Sequence, residues 1–316
     1  MSLGRLAPAG ICLPALCLLA VLAAGCVLDA PYAKFAIVYG VSRYDLGLPE
    51  GSGPNLKYAD NDAIDMAAML TGQGYTVWLQ TDVAATRTQL LDDATAVASS
   101  SKENDLFLFF FSGHGGQSGS GPESAGGDEQ DELIYLYGSI YDSTQTFNDN
   151  ELLGAFAAIP CRRKVLILDS CYSGGFIGNG LESDGTPPAL LEGGQSLSAS
   201  LIEAIALYAN FDGSSADIPP WEAMVISASG EREFSCESPT DPEDPAYYHG
   251  VFSYYLLEAE RNGDRNGDGY VTVTEAYDYV RGKIRTDWNL RNGYAIDAFS
   301  PHVSGGPVDY VLFQTR

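Results

Sequence analysis

Two stretches of the chain, Leu106–Phe111 and Val165–Leu168, are apolar without a break, and a third, Lys34–Tyr39, is nearly so. Runs with no polar alternation suit the inner strands of a parallel sheet covered on both faces. They predict strands over Lys34–Tyr39, Asp105–Phe111 and Arg163–Asp169, with further strands at Tyr75–Gln80, Ala223–Ala228 and, at the end of the chain, Val308–Phe313. Helical spacing fills the intervals. Asp60–Leu70 sets Ala63, Met66, Ala67 and Leu70 on one face, with Asp60 as its cap. Thr86–Ser99, Asp149–Ala157, Ala199–Ala209, Val251–Glu260 and Val273–Ile284 are also helical in pattern. Gly115–Gly127 and Gly174–Ser196 read as loops, and Glu132–Tyr141 as a short hairpin. Strands alternating with helices predict an α/β layered fold around a mostly parallel sheet.

The first 25 residues read as an export signal. Arg5 is the sole charged side chain before Asp29, and the apolar run Ile11–Ala24 is short and broken by Pro14. Leu22-Ala23-Ala24-Gly25-Cys26 resembles a bacterial lipobox, in which Cys26 is lipidated and becomes the first residue; an ordinary signal cut nearby is the other reading. Both predict export, and the lipobox adds a membrane tether. Residues 26–33 then form a linker, and 34–316 one domain large enough for a sizeable core.

Formal net charge is −25, although only 19% of residues are charged. Such a balance speaks against nucleic acid or anionic lipid as a partner and would attract basic peptides, although a solubility or salt adaptation is the plainer explanation of much of the excess. Of six cysteines, Cys12 and Cys17 leave with the signal and Cys26 is acylated. Cys161 precedes one strand and Cys236 follows another, which puts them at opposite edges of a parallel sheet, so no structural disulfide is expected.

The candidate chemistry sits at two strand ends. Ser112-Gly113-His114-Gly115 follows one apolar run, and Asp169-Ser170-Cys171-Tyr172-Ser173-Gly174 follows another. Carboxyl ends of parallel strands are where α/β sheets hold their sites. A thiol needs a base to become a nucleophile, and imidazole titrates in the right range. His114 and Cys171 are 57 positions apart.

These motifs, with Asn61-Asp62-Ala63 and Gly250-Val251-Phe252-Ser253-Tyr254, resemble the caspase-like cysteine peptidases, in particular bacterial metacaspase-like proteins, from Lys34 to Phe313. The resemblance implies a three-layer fold with a mostly parallel six-stranded sheet flanked by helices. It implies Cys171 as nucleophile, His114 as proton shuttle, and the N–H groups of Cys171 and Gly115 as oxyanion hole. It also implies an acidic pocket of Asp62, Ser112 and Asp169 for Arg or Lys before the cut bond. Asp60 lies close enough to compete with Asp62 for that role. The bland alternative leaves Asp62 starting its helix and Asp169 capping a loop, with Asp or Asn specificity open. A fold kept without turnover, as a calcium-stabilised scaffold, is the reading from another class. No Lys or Arg lies between Lys164 and Arg232, whereas Asp184, Asp212 and Asp217 do, so a basic-specific enzyme would work uncut there.

Asp264-Arg265-Asn266-Gly267-Asp268-Gly269-Tyr270-Val271-Thr272-Val273-Thr274-Glu275 fits the twelve-residue calcium loop at every defined position. Asp264, Asn266 and Asp268 supply side-chain oxygens, Tyr270 a carbonyl, Thr272 the ninth position and Glu275 the bidentate carboxylate; Gly269 makes the turn. Ca²⁺ is the expected ligand. His249, before a helix, and His302, in a Pro-flanked loop, have no ligand-like spacing and read as structural or surface side chains; Cys236 could line the active-site rim, with a plain buried thiol the better reading.

Overall fold

A computed structural model of the chain describes residues 32–44, 55–117, 132–138, 143–170, 223–229, 235–237, 248–304 and 309–315. The predicted signal and Cys26, the predicted helix at 199–209, the loop at 174–196 and Cys171 lie outside the described residues. Contacts divide the chain after Tyr32, and the architecture below is that of the unit Ala33–Arg316. Among the described residues no helix is long and apolar enough to cross a membrane.

The main sheet contains β1 (Lys34–Gly40), β2 (Tyr75–Thr81), β3 (Leu106–Ser112), β7 (Arg163–Asp169), β8 (Ala223–Ser227) and β10 (His302–Ser304), in the order β10-β8-β7-β3-β1-β2. All neighbours are parallel except β10, which runs antiparallel to β8. His302 therefore belongs to an edge strand, not to the loop expected from its neighbouring proline. The terminal strand β11 (Val311–Gln314) leaves the main sheet and pairs with β9 (Tyr270–Thr272).

Every residue of β3 is buried. Side chains alternate across a strand, and Phe107, Phe109 and Phe111 pack with Ile37, Tyr39 and Leu166 in the core that α2 (Arg87–Ser100) and α3 (Asp149–Ala157) close. On the other face α1 (Ala59–Gly72) packs against β1, β2, β3 and α4 (Val251–Asn262), and α4 against α5 (Val273–Lys283). Burying a large side chain of this kind contributes about 1.5–3 kcal/mol. The α5 helix runs on as a π-helical turn over Ile284–Asn289.

Two expectations are corrected. Asp60 does not cap α1: the N-cap is Tyr58, and the Asp60 carboxylate accepts the Ser42 hydroxyl at 2.7 Å. The carboxylate of Glu237 instead accepts the N–H groups of Lys57 and Tyr58 at the entry to the helix. Glu132–Tyr135 (β5) is not half of a self-contained hairpin. It is the middle of a three-stranded antiparallel sheet between β4 (Gly115–Gln117), inside the predicted loop, and β6 (Thr146–Asn148). Short strands with few residues each carry too little periodicity to fix such a pairing.

Candidate active site

The register aligns Gly40, Ser112 and Asp169 in one row at the carboxyl rim of the sheet. Gly40 is bare for a reason. A Cβ there would stand 2.3 Å from the Ala59 carbonyl, so only glycine lets the start of α1 come down onto the rim. That approach carries Asp62 over β3, where it accepts the Ser112 hydroxyl at 2.7 Å.

Beyond Ser112 the chain stays stitched to β7, with the Gly113 N–H donating to the Asp169 carbonyl at 3.1 Å. A Cβ on Gly113 would lie 2.6 Å from the Phe111 ring and 2.7 Å from the Tyr44 hydroxyl. His114 follows, half-buried and gripped through its peptide. Its N–H donates to the Tyr44 hydroxyl at 2.9 Å, and its carbonyl accepts the Tyr135 N–H at 3.0 Å. Tyr44 in turn donates to the Tyr135 carbonyl at 3.0 Å, and its ring lies 4.6 Å from the imidazole, tilted by 48°. Neither tyrosine carried a signal in the sequence.

On the neighbouring strand the described chain reaches Ser170, which is buried and whose carbonyl accepts the Ser229 hydroxyl at 3.0 Å. Cys171 is the next residue, outside the described set. Gly115 begins β4, opposite Ile134.

Asp62, Ser112, Asp169 and His114 open onto one cleft, which Cys236, Glu237 and Gly250 help to line. Cys236 is thus a half-buried thiol on the rim, the lesser of its two sequence readings, rather than a plain buried one. A Cβ on Gly250 would stand 2.5 Å from Asp169 Oδ2 and 3.0 Å from Asp62 Oδ2, so the two carboxylates converge where that glycine leaves room. Asp62 Oδ1 accepts the Gly250 N–H at 3.0 Å and faces His249 Nδ1 at 3.0 Å. Asp169 Oδ2 accepts the Ser253 hydroxyl at 2.6 Å and its N–H at 3.1 Å, while Oδ1 accepts the Ser235 hydroxyl. His249, predicted to be structural or surface, is 7% exposed and forms part of this network.

Two buried carboxylates at one site repel each other and resist ionisation. Burial, then the charge of Asp62, pushes the Asp169 carboxyl up to about 7, against the hydrogen bonds from Ser235 and Ser253. Burial also raises Asp62, against the hydrogen bonds of His249, Ser112 and Gly250. Burial pulls the His249 imidazole down, but the hydrogen bond and charge of Asp62, with Asp65 and Asp169, outweigh it and leave the ring raised. The native state therefore gains from protonation of Asp169. That contribution is full below the ordinary 3.8 and is lost as pH rises through about 7. In thermal melts, the Tm of Asp169→Asn minus that of the wild type is expected to increase between about pH 5 and about pH 8, since the amide carries no burial penalty. A flat difference would contradict the burial of a shifted acid.

The predicted calcium loop joins α4 to α5, as a helix–loop–helix. Asp264 accepts the N–H groups of Gly267 and Gly269, Asn266 that of Asp268, and Asp268 that of Tyr270. Gly269, at the turning position, has φ +88°. Thr272 and Glu275 form a capping box at the start of α5. Among the described residues no three carboxylates, imidazoles or thiols converge closely enough to hold a metal ion. The carbonyl of Gly269 accepts the Thr315 N–H at 3.0 Å, which ties the loop to the end of β11.

Solved structures share this architecture. Protein GSU0716 from Geobacter sulfurreducens superposes with a TM-score of 0.54 at 21% identity, covering 88% of this chain and 95% of its own. Caspase-1 from Spodoptera frugiperda does so at 0.51 and 11% identity, covering 90% of this chain and 92% of its own. Identities this low speak for the fold alone. A search of curated proteins finds no match. The sequence profile described as Caspase domain matches residues 33–296, a span that holds both strand-end motifs and every residue of the cleft. Over that span the chain belongs to the caspase domain family.

Proposed function

We propose that the protein is an exported, lipid-anchored cysteine endopeptidase that cleaves peptide bonds after Arg or Lys and binds one Ca²⁺. The observation that carries the specificity is the convergence of two buried carboxylates beside His114, in a cleft whose lining among the described residues includes no Lys or Arg. Such a site pairs with a guanidinium or ammonium and repels an acidic side chain. Ser112 adds a hydroxyl between the two acids' elements.

The family relation and the rim geometry support the chemistry. In sequence Cys171 follows Ser170, the buried residue just after β7, and the Gly113 N–H is bonded to the Asp169 carbonyl just before His114. His114 takes the Cys171 thiol proton, and the sulfur attacks the substrate carbonyl. The N–H groups of Cys171 and Gly115 receive the oxyanion. His114 passes its proton to the leaving amine, leaving a thioester. Water, deprotonated by the same imidazole, then releases the acid and restores the thiol.

The test is a panel of fluorogenic peptides ending in Arg, Lys, Asp or Asn, with Cys171→Ala as control. Arg and Lys peptides are expected to be cleaved at least about 100-fold faster than the others, and the variant to be silent. The active wild type should stay uncut between Lys164 and Arg232. Preferential cleavage after Asp or Asn would overturn the specificity, and an inert wild type the enzyme reading.

For calcium, Asp264, Asn266, Asp268, Thr272 and Glu275 with the Tyr270 carbonyl form an all-oxygen donor set of the kind Ca²⁺ takes. The turns that already gather the first three side chains on loop amides fit that use. Glu275 would give both carboxylate oxygens to the ion, including the one that accepts from Thr272 here. Bound calcium would pin α4, α5 and β11 together. Chelation is expected to lower Tm by several degrees, about 2–4 °C for each kcal/mol lost in a domain of this size. Glu275→Gln should abolish the response. A Tm indifferent to calcium would exclude the site.

A further inference from the structure

The two acids of the cleft are partnered differently. Among the described residues the donors to Asp169 are neutral, the Ser235 hydroxyl and the hydroxyl and N–H of Ser253. Asp62 faces a titratable ring. His249 points Nδ1 at Asp62 Oδ1 across 3.0 Å and Nε2 at Asp65 Oδ2 across 3.3 Å. Ionised carboxylates are acceptors only, so a carboxylate facing each ring nitrogen favours a proton on both, the imidazolium form. Among the described residues the charged or titratable groups that act on it are Asp62 and Asp65 from α1 and Asp169 from β7, with Tyr254 from α4 placing its ring 6.5 Å away. Asp65 is largely exposed, so solvent screens it, and Asp62 is the partner that matters.

We propose that His249 is a positioning residue of the specificity pocket: its imidazolium is the built-in counter-ion that lets Asp62 and Asp169 stand ionised together, ready for one guanidinium or ammonium. With ring and both acids charged, the trio has one net negative charge, matched to a singly positive side chain. Without the ring, two buried carboxylates share a site with no counter-charge, and one holds a proton to higher pH. The inference rests on the Arg/Lys reading and adds a residue that acts through Asp62.

Kinetics of an arginyl peptide across pH test it. His249→Asn is expected to raise KM about tenfold near pH 6 with kcat changed less than about twofold, the gap closing by about pH 9. The double variant Asp62→Asn/His249→Asn removes the neighbouring anion along with the counter-ion. Its KM profile is expected to regain the acid-side position of the wild type to within about threefold in KM relative to its own plateau, although the plateau is weaker. A merely structural histidine predicts added damage in the double variant. A His249→Asn profile that overlays the wild type, or a double variant whose acid limb stays shifted, would overturn the proposal. Thermal melts establish that each variant is folded.

NMR of the His249 ring decides the pairing without any turnover. Its titration in the wild type is expected above the ordinary histidine range, falling by at least about one unit in Asp62→Asn. A titration unmoved by that change would overturn the counter-ion role. An inert wild type sinks the peptidase reading while this arm still reports on His249; an active wild type with normal His249→Asn kinetics sinks this inference alone.

Discussion

His114→Ala is expected to lower kcat on an arginyl peptide by about 10⁴-fold or more while KM changes by less than about threefold. The imidazole is asked to do two things, to take the thiol proton before attack and to return a proton to the leaving amine. Neither contributes to holding the substrate side chain, a role the proposal gives to the carboxylates, so the loss is expected to fall on the chemical step. The structure explains why the ring is ready. Gly113 N–H is fixed to the Asp169 carbonyl, the His114 peptide is held by Tyr44 and Tyr135, and the Tyr44 ring lies against the imidazole. A base held this way costs little reorganisation at the moment of reaction. Stopped-assay kinetics with the purified variant check the split. A variant that kept its kcat and lost KM would remove His114 from the chemistry.

Asp169→Asn is expected to lower kcat/KM for Arg and Lys peptides by about 10²- to 10³-fold, mostly through KM. A guanidinium entering the cleft leaves water, and it needs a charged acceptor in return. Asp62 has the imidazole of His249 as a neighbour, whereas the partners of Asp169 among the described residues are hydroxyls and an amide. The charge lost in the variant is thus the uncompensated one. Cleavage should fade in the wild type as pH drops below about 7, where Asp169 takes up a proton. The variant should lack that limb. Unchanged discrimination between Arg and Asp peptides in Asp169→Asn would place specificity elsewhere in the cleft.

Much of the scaffold is legible from composition of single segments. Leu106–Phe111 has no polar position to spare for solvent, so it reads directly as the inner strand it forms between β1 and β7. The strand-end Gly-His-Gly needs only that strand to be placed. Asp62, Ser112 and Asp169 were singled out through family resemblance, because their convergence depends on α1 descending over Gly40, which local pattern does not reveal. Tyr44, Ser235, Glu237, His249 and Ser253 stayed hidden for the same reason. Tyr44 reaches His114 across 70 residues and His249 reaches Asp62 across 187, so neither has a periodic or motif-like signature near its partner. The cap of α1 misled for a related cause. An aspartate at a helix start usually caps it, but here Glu237, a distant residue, supplies the acceptor and Asp60 turns to Ser42.

The most direct test is covalent labelling of the intact protein with an arginyl chloromethyl ketone, located by peptide mass mapping. The account predicts a single adduct on Cys171, lost in His114→Ala, strongly slowed in Asp169→Asn and not formed by the aspartyl analogue. An adduct on Cys236 in place of Cys171, or equal labelling by the aspartyl reagent, would contradict it.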